Sequence, residues 1–374
     1  MPDTPVLIVF LGDVAGSPLE EQLGRALAEA ALDLLEEALP GDSFGGALLV
    51  TASHELDGRL PQGVELDRDP EGEPFHFGRR LAAVVRERGI ARPFYVGAGG
   101  VPLLRGSDIG GVAWHLRDGD GFVVSNNYFS ADLVAFSPGD ALERIELPAR
   151  DNLLPRLLHD QAGLESHPLP RSSATQFNLD SPGDLAVLKL AGGAGRHLSA
   201  FLDGFETDLG AYRAVMTKLV DPGAEVLVAG RVGSQVWSYL ETETACRMRI
   251  YSEERGMRAA GRDAPGAARS LLAYHLREVG AQRFFAELAE LADAACIDTR
   301  PLLSHLGADP SRADRFRSDL GCAAEIEDPL LRELTEAAQA APVPVLLGGH
   351  SLVSGGLMLL TEAAWREEDR RIQA

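Results

Sequence analysis

The run Phe94-Tyr-Val-Gly-Ala-Gly-Gly-Val-Pro-Leu-Leu104 puts three glycines, Gly97, Gly99 and Gly100, directly behind a short apolar stretch. A strand that ends without side chains lets a ligand or metal approach the main chain closely. In an open α/β sheet, ligands lie outside the carboxyl ends of the strands, which is where such a turn would stand. A second chemistry-bearing stretch is Phe177-Asn-Leu-Asp-Ser-Pro-Gly-Asp184. Ser181 suits a helix N-cap, Pro182 the first turn, and Asp184 the capping-box offset. Asp180 is left at a strand-to-helix junction, where its carboxylate can face the same crevice as Gly99 and Gly100. His76, between Phe75 and Phe77, either faces that crevice or is a satisfied buried histidine.

The second half holds other groups. Arg231, Arg247, Arg249, Arg255, Arg258, Arg262 and Arg269 crowd one region of a chain with only 35 basic residues in 374. Neighbouring arginines repel, so they need acidic partners or a bound anion. Glu241, Glu243, Glu253 and Glu254 would make an ion-paired face, whereas phosphate or carboxylate would make Arg247 and Arg249 a binding site. The run Ala341-Pro-Val-Pro-Val-Leu-Leu-Gly-Gly-His-Ser351 leads an apolar stretch into Gly348-Gly349-His350. That turn either closes between core elements or offers main-chain donors to an anion, with His350 as acid or base. Asp298, Arg300, His305, Asp309, Asp314 and Asp319 include metal-binding types but match no ligand spacing, so capping and surface roles are expected.

These groups need elements to hold them. Apolar runs predict strands at 6–11, 46–51, 63–66, 94–96, 121–125 and 131–136, and helical spacing fills 18–39, 76–89 and 107–116. Such alternation predicts a mostly parallel sheet. From about residue 190 long helical patterns dominate, at 198–219, 236–254, 267–279, 282–294 and 330–341, with strand-like runs only at 224–229 and 344–347. The expectation is therefore an α/β domain over 1–190 and a mostly α-helical domain over 191–374.

Bulk properties narrow the partners. With 45% apolar and 24% charged residues the chain can build a core, and 374 residues suit two domains. A net charge of -21 argues against nucleic acid and anionic membrane surfaces. Three dispersed cysteines give no disulfide framework or metal knuckle. No apolar run is long enough to span a bilayer and no signal-like start is present, so a cytoplasmic location is expected. A homo-oligomer is compatible with all of this.

Over residues 1–190 the sequence resembles the small nucleotidyltransferases of cofactor assembly, the molybdenum-cofactor, cobinamide-phosphate and phospholactate guanylyltransferases. The likeness rests on the strand–helix order, on Gly100-Val-Pro-Leu-Leu104 and on Phe177-Asn-Leu-Asp-Ser-Pro-Gly-Asp-Leu185. It implies a Rossmann-like, glycosyltransferase-A-type sheet and a nucleotide or phosphorylated metabolite as ligand. Gly12, Asp13 and Gly16 stand at the family's phosphate loop, and Asp180 stands where a carboxylate would hold Mg²⁺. Two departures bear on the reaction. The family's loop lysine and arginine are missing from Leu11-Gly-Asp-Val-Ala-Gly-Ser-Pro18, and Gly100 replaces the family's metal-binding aspartate. The resemblance thus leaves open a Mg²⁺-dependent nucleotidyl transfer, a binding or assembly module without turnover, and an active centre lying wholly in the second domain.

Overall fold

The computed structural model describes residues 4–14, 16–70, 72, 74–258 and 260–373. The chain forms two compact units. The first comprises 1–16, 21–178 and 194–201, and the second 17–20, 179–193 and 202–374.

In the first unit seven strands form one sheet: β1 (Val6–Leu11), β2 (Gly46–Thr51), β3 (Val64–Arg68), β4 (Pro93–Gly97), β5 (Phe122–Ser125), β6 (Leu133–Ser137) and β7 (Glu165–Pro168). Their order is β3-β2-β1-β4-β6-β5-β7, and only β6 runs antiparallel to its neighbours. This is the open, mainly parallel α/β sheet expected from the strand–helix alternation. The core strands carry apolar runs because both faces are covered. Leu7, Val9 and Leu11 pack with the helices α1 (Pro18–Ala38) and α3 (Gly106–Asp118), whereas Ile8 and Phe10 pack with α2 (Phe77–Glu87) on the other face. Strand β7, Glu-Ser-His-Pro, is not among the strands that the apolar runs predict. It is a polar edge strand, and its side chains show no alternation that a sequence pattern could detect.

The second unit is helix-rich, as expected, and its helices surround a four-stranded, all-parallel sheet. The strands are β8 (Glu225–Gly230), β9 (Arg247–Ser252), β10 (Ala294–Asp298) and β11 (Val345–Gly348), in the order β11-β10-β8-β9. Two of them correct the sequence expectation. The helix expected over 236–254 ends at Glu243, and Arg247-Met-Arg-Ile-Tyr-Ser252 is an edge strand with its arginines exposed. The helix expected over 282–294 stops at Ala289, and Ala-Ala-Cys-Ile-Asp becomes a fully buried central strand. Alanine favours helices in isolation, but small residues also fit a strand squeezed between two layers. Leu227, Ala229, Ala295, Ile297 and Leu347 pack under the helices Leu271–Val279, Ala281–Ala289 and Pro329–Gln339. Among the described residues no helix is long and apolar enough to cross a membrane.

Candidate functional site

Both sheets present a carboxyl edge, and the candidate residues divide between them. In the first unit Gly97 N donates to the Asp132 carbonyl at 2.9 Å and Gly100 N to the Gly97 carbonyl at 2.8 Å. A Cβ on Gly100 would lie 2.4 Å from the Asp132 Cβ, so glycine is required there by close packing. Tyr95 Oη donates to Asp151 Oδ2 at 2.8 Å, and burial pushes the phenol well above its usual range. Asp132 and Asp151 are carboxylates beside the glycine turn that sequence reasoning missed, since neither stands in a motif. Beyond β1, Gly12 and Asp13 are exposed and a Cβ on Gly12 would meet open space. Gly16 has φ 147°, a conformation favouring glycine. Ala15, in the same loop, lies outside the described residues. His76 is the N-cap of α2, its Nδ1 accepting from Arg79 N at 3.4 Å, while Phe75 and Phe77 pack edge-on against Phe10.

The carboxyl edge of the second sheet is where ionisable side chains converge. Strand β8 ends in Gly230, at φ 118°, where a Cβ would fall 2.5 Å from the Asp298 Cβ. This closeness lets Arg231 grip Asp298 at the end of β10 by two bonds, Nε to Oδ2 at 2.6 Å and Nη2 to Oδ1 at 3.1 Å. Asp298 also caps the next helix by accepting from Arg300 N at 3.2 Å. Its side chain is fully buried, which alone would raise the carboxyl. The charge of Arg231 and its hydrogen bonds outweigh that and hold the group below its ordinary value. Arg300 makes a second forked pair with Asp319, at 3.2 and 2.7 Å. Forked pairs of this kind fix guanidinium direction as well as charge.

Two groups at this edge are not consumed in that way. Arg315, on the helix Arg312–Asp319, donates to the Pro310 carbonyl at 2.7 Å. Among the described residues it has no ion pair, and burial together with the like charge of Arg300 lowers its affinity for its proton. His350, just past β11, makes no side-chain hydrogen bond among the described residues. Burial, then Arg231, holds its imidazole below the usual value, against the pull of Asp298 and Asp180. The ring is therefore neutral at pH 7, with both nitrogens available to a guest.

Asp180 belongs to this second unit, whereas the glycine turn after β4 belongs to the first. Its charge acts on His350 and on Asp184. Asp184 is buried and its Oδ2 accepts from Asp180 N, Ser181 N and Ser181 Oγ at 2.9, 2.8 and 3.0 Å, the capping role its spacing implied. Burial, then the charge of Asp180, raises its carboxyl to about 7 in spite of a bond from Ser351. Backbone strain appears at the same edge: Glu254, two residues past β9, has φ 54°.

Arg247 and Arg249 sit elsewhere, at the amino end of β9 beside Glu225. Arg249 pairs with Glu225 at 2.8 Å and Arg247 approaches it at 3.9 Å. Of the arginines in that stretch, Arg231 rather than these two joins the buried cluster. Nothing in local spacing marks it, because the cluster is assembled by the order β11-β10-β8. For a metal, no group of three or more histidine, cysteine or carboxylate side chains that could hold one occurs among the described residues. Asp298 and Asp319 are committed to arginines, so the protein donors by themselves do not make a magnesium cage.

No family model and no curated protein matches this sequence. Solved structures similar to part of it include a protein described as a nucleotide-diphospho-sugar transferase from Desulfovibrio desulfuricans G20. That match has 12% identity, covers 55% of this chain and 99% of the other, and has a TM-score of 0.39. A CMP:2-keto-3-deoxy-manno-octonic acid synthetase complexed with CTP matches at 13% identity over 49% of this chain and 95% of its own, with TM-score 0.37. A cytidylyltransferase from Leptospira borgpetersenii serovar Hardjo-bovis matches at 14% identity over 54% and 92%, also with TM-score 0.37.

Proposed function

We propose that this is a nucleotidyltransferase-like protein that binds a nucleotide or another phosphorylated metabolite, with the ligand's anionic group held at the carboxyl edge of the second sheet. The observation that carries this reading is Arg315, a half-buried guanidinium with no ion pair among the described residues, which feels the like charge of Arg300 against the pull of Asp319 and Asp309. An anion at that place relieves the repulsion between the two arginines and takes hydrogen bonds from a directed fork. Arg231 and Arg300, locked by Asp298 and Asp319, keep the surrounding field fixed rather than mobile. His350, neutral at pH 7, is suited to accept a proton from an attacking hydroxyl or phosphate oxygen. In nucleotidyl transfer, where positioning and charge neutralisation carry most of the rate, these are the roles the protein must fill. A magnesium ion arriving with the phosphates would find one protein carboxylate in Asp180 and take its remaining oxygens from ligand and water.

Thermal-shift and calorimetric titrations with nucleoside triphosphates, sugar phosphates and inorganic phosphate, each with and without Mg²⁺, test the proposal. A phosphate-bearing ligand is expected to raise the melting temperature, and Arg315→Met to weaken it at least tenfold. Loss of the Mg²⁺-dependent part in Asp180→Asn would support the metal role. Binding by none of these ligands, or equal binding by Arg315→Met, sinks the assignment. A second reading, a module that binds without turnover, is favoured by the loop after β1, which carries Asp13 and no lysine or arginine to neutralise a triphosphate. Tight binding without any product in the presence of candidate acceptors would select it.

A further inference from the structure

On the first unit, away from the strand ends discussed above, two histidines meet from different elements. His115 Nε2, on α3, lies 3.0 Å from His167 Nδ1, on β7. Both rings are backed by Phe122 of β5. The His167 ring stacks on it at 4.9 Å and 15°, and the His115 ring lies 4.6 Å from it at 36°. On the far side of His167, Nε2 lies 3.3 Å from Glu165 Oε1. With its Nε2 proton on the side of that carboxylate, His167 carries a lone pair on Nδ1 directed at His115. A carboxylate behind one nitrogen of an imidazole is how proteins orient a histidine for metal binding through the other.

We propose that His115 and His167 form a binding site for a divalent transition-metal ion of the zinc, nickel or copper class. Two imidazole nitrogens at about 2.05 Å from a tetrahedral ion stand about 3.3 Å apart. The observed separation is close to that, so small ring rotations about the Phe122 support admit the ion. His115 then presents its Nε2 lone pair by carrying its proton on Nδ1. Imidazole donors without thiolate suit these ions and not magnesium or calcium. Two protein ligands leave the remaining positions to water or to a small molecule. The pair stands at the rim of a groove of about 450 Å³, walled by Val112, Leu169 and Pro170, which has room for such a guest. The site is independent of the anion-binding proposal and uses none of its residues.

Isothermal titration of the full chain with Zn²⁺ and with Ni²⁺, in a non-chelating buffer, tests it. The expected result is one saturable ion per chain, weakened at least tenfold in His115→Asn and in His167→Asn. Glu165→Gln should weaken it by about tenfold, the lower end of the range for lost outer-shell partners. Unchanged melting temperatures of the metal-free variants, with the affinity lost, complete the support. Absence of binding by the wild-type chain at millimolar metal overturns the proposal, and so does binding that both histidine variants retain.

Discussion

The two sheets use the same rule, functional groups at the carboxyl ends of parallel strands, but furnish those ends differently. In the first unit the edge is built from aromatic rings, a glycine turn pressed on Asp132 and a Tyr95–Asp151 bond. In the second it is built from two forked arginine–aspartate pairs together with His350 and Arg315, which among the described residues have no side-chain hydrogen bond and no ion pair respectively. The first edge is held by shape and the second by charge. Shape tolerates loss of a polar group and resists added volume, while a charge network tolerates neither partner's removal. The two edges should therefore fail under different substitutions.

Removing one partner of a buried ion pair strands the other, at a cost of about 3–5 kcal/mol. Arg231→Met is expected to destabilise the second unit by that amount, because Asp298 has no exposed surface. Urea unfolding followed by tryptophan fluorescence, to which the second unit contributes Trp237 and Trp365, measures it. A change below 1 kcal/mol would mean that charge does not hold this edge.

Next in size is a pH effect. The folded-state value of Asp184, about 7, lies above its ordinary value of 3.8. The folded state thus binds a proton that the unfolded chain has already released. The stability tied to that proton is full below about pH 4 and is lost as pH rises through about 7. Asp184→Asn should consequently gain on the wild type between pH 5 and pH 8, by on the order of a few kcal/mol. Parallel stability curves across that interval would remove Asp184 from the charge network.

Smallest is the volume test in the first unit. Gly100→Ala places a methyl group against Asp132 and should cost about 1–3 kcal/mol, typical of overpacking. Neutral behaviour in thermal unfolding would show that this edge is looser than its packing implies.

How much of this was legible in the sequence follows the same division. First-unit strands announce themselves because Val6–Leu11 or Gly46–Thr51 must be apolar on both faces. The capping box at Ser181–Asp184 was also readable, being local. In the second unit, β9 hid within an arginine-rich run whose alternation, exposed arginines against partly buried Met248 and Ile250, is meaningful only once it is known to be an edge. Strand β10 hid in alanine. The charge cluster was visible as residue types, Asp298, Arg300, Asp319 and His350, but not as a cluster. Its members come from the ends of strands adjacent in the sheet and distant in the chain. Asp180 was assigned by motif to the earlier segment, and the chain folds it into the later one.

The interleaving of the two units has a practical result for anyone dividing the gene. Asp33, buried in α1, accepts from the main-chain nitrogens of His197 and Leu198, both at 2.8 Å, and those residues belong to the first unit although they follow part of the second. A product stopped near residue 190, the natural place to cut by sequence, would keep that carboxylate and lose both donors. Burial already raises Asp33 above its ordinary value with those donors in place, so the shortened protein would have to hydrate or protonate a group in its interior. Half-length expression products should then be aggregation-prone, and ribosomal synthesis must pass residue 198 before Asp33 gains both donors.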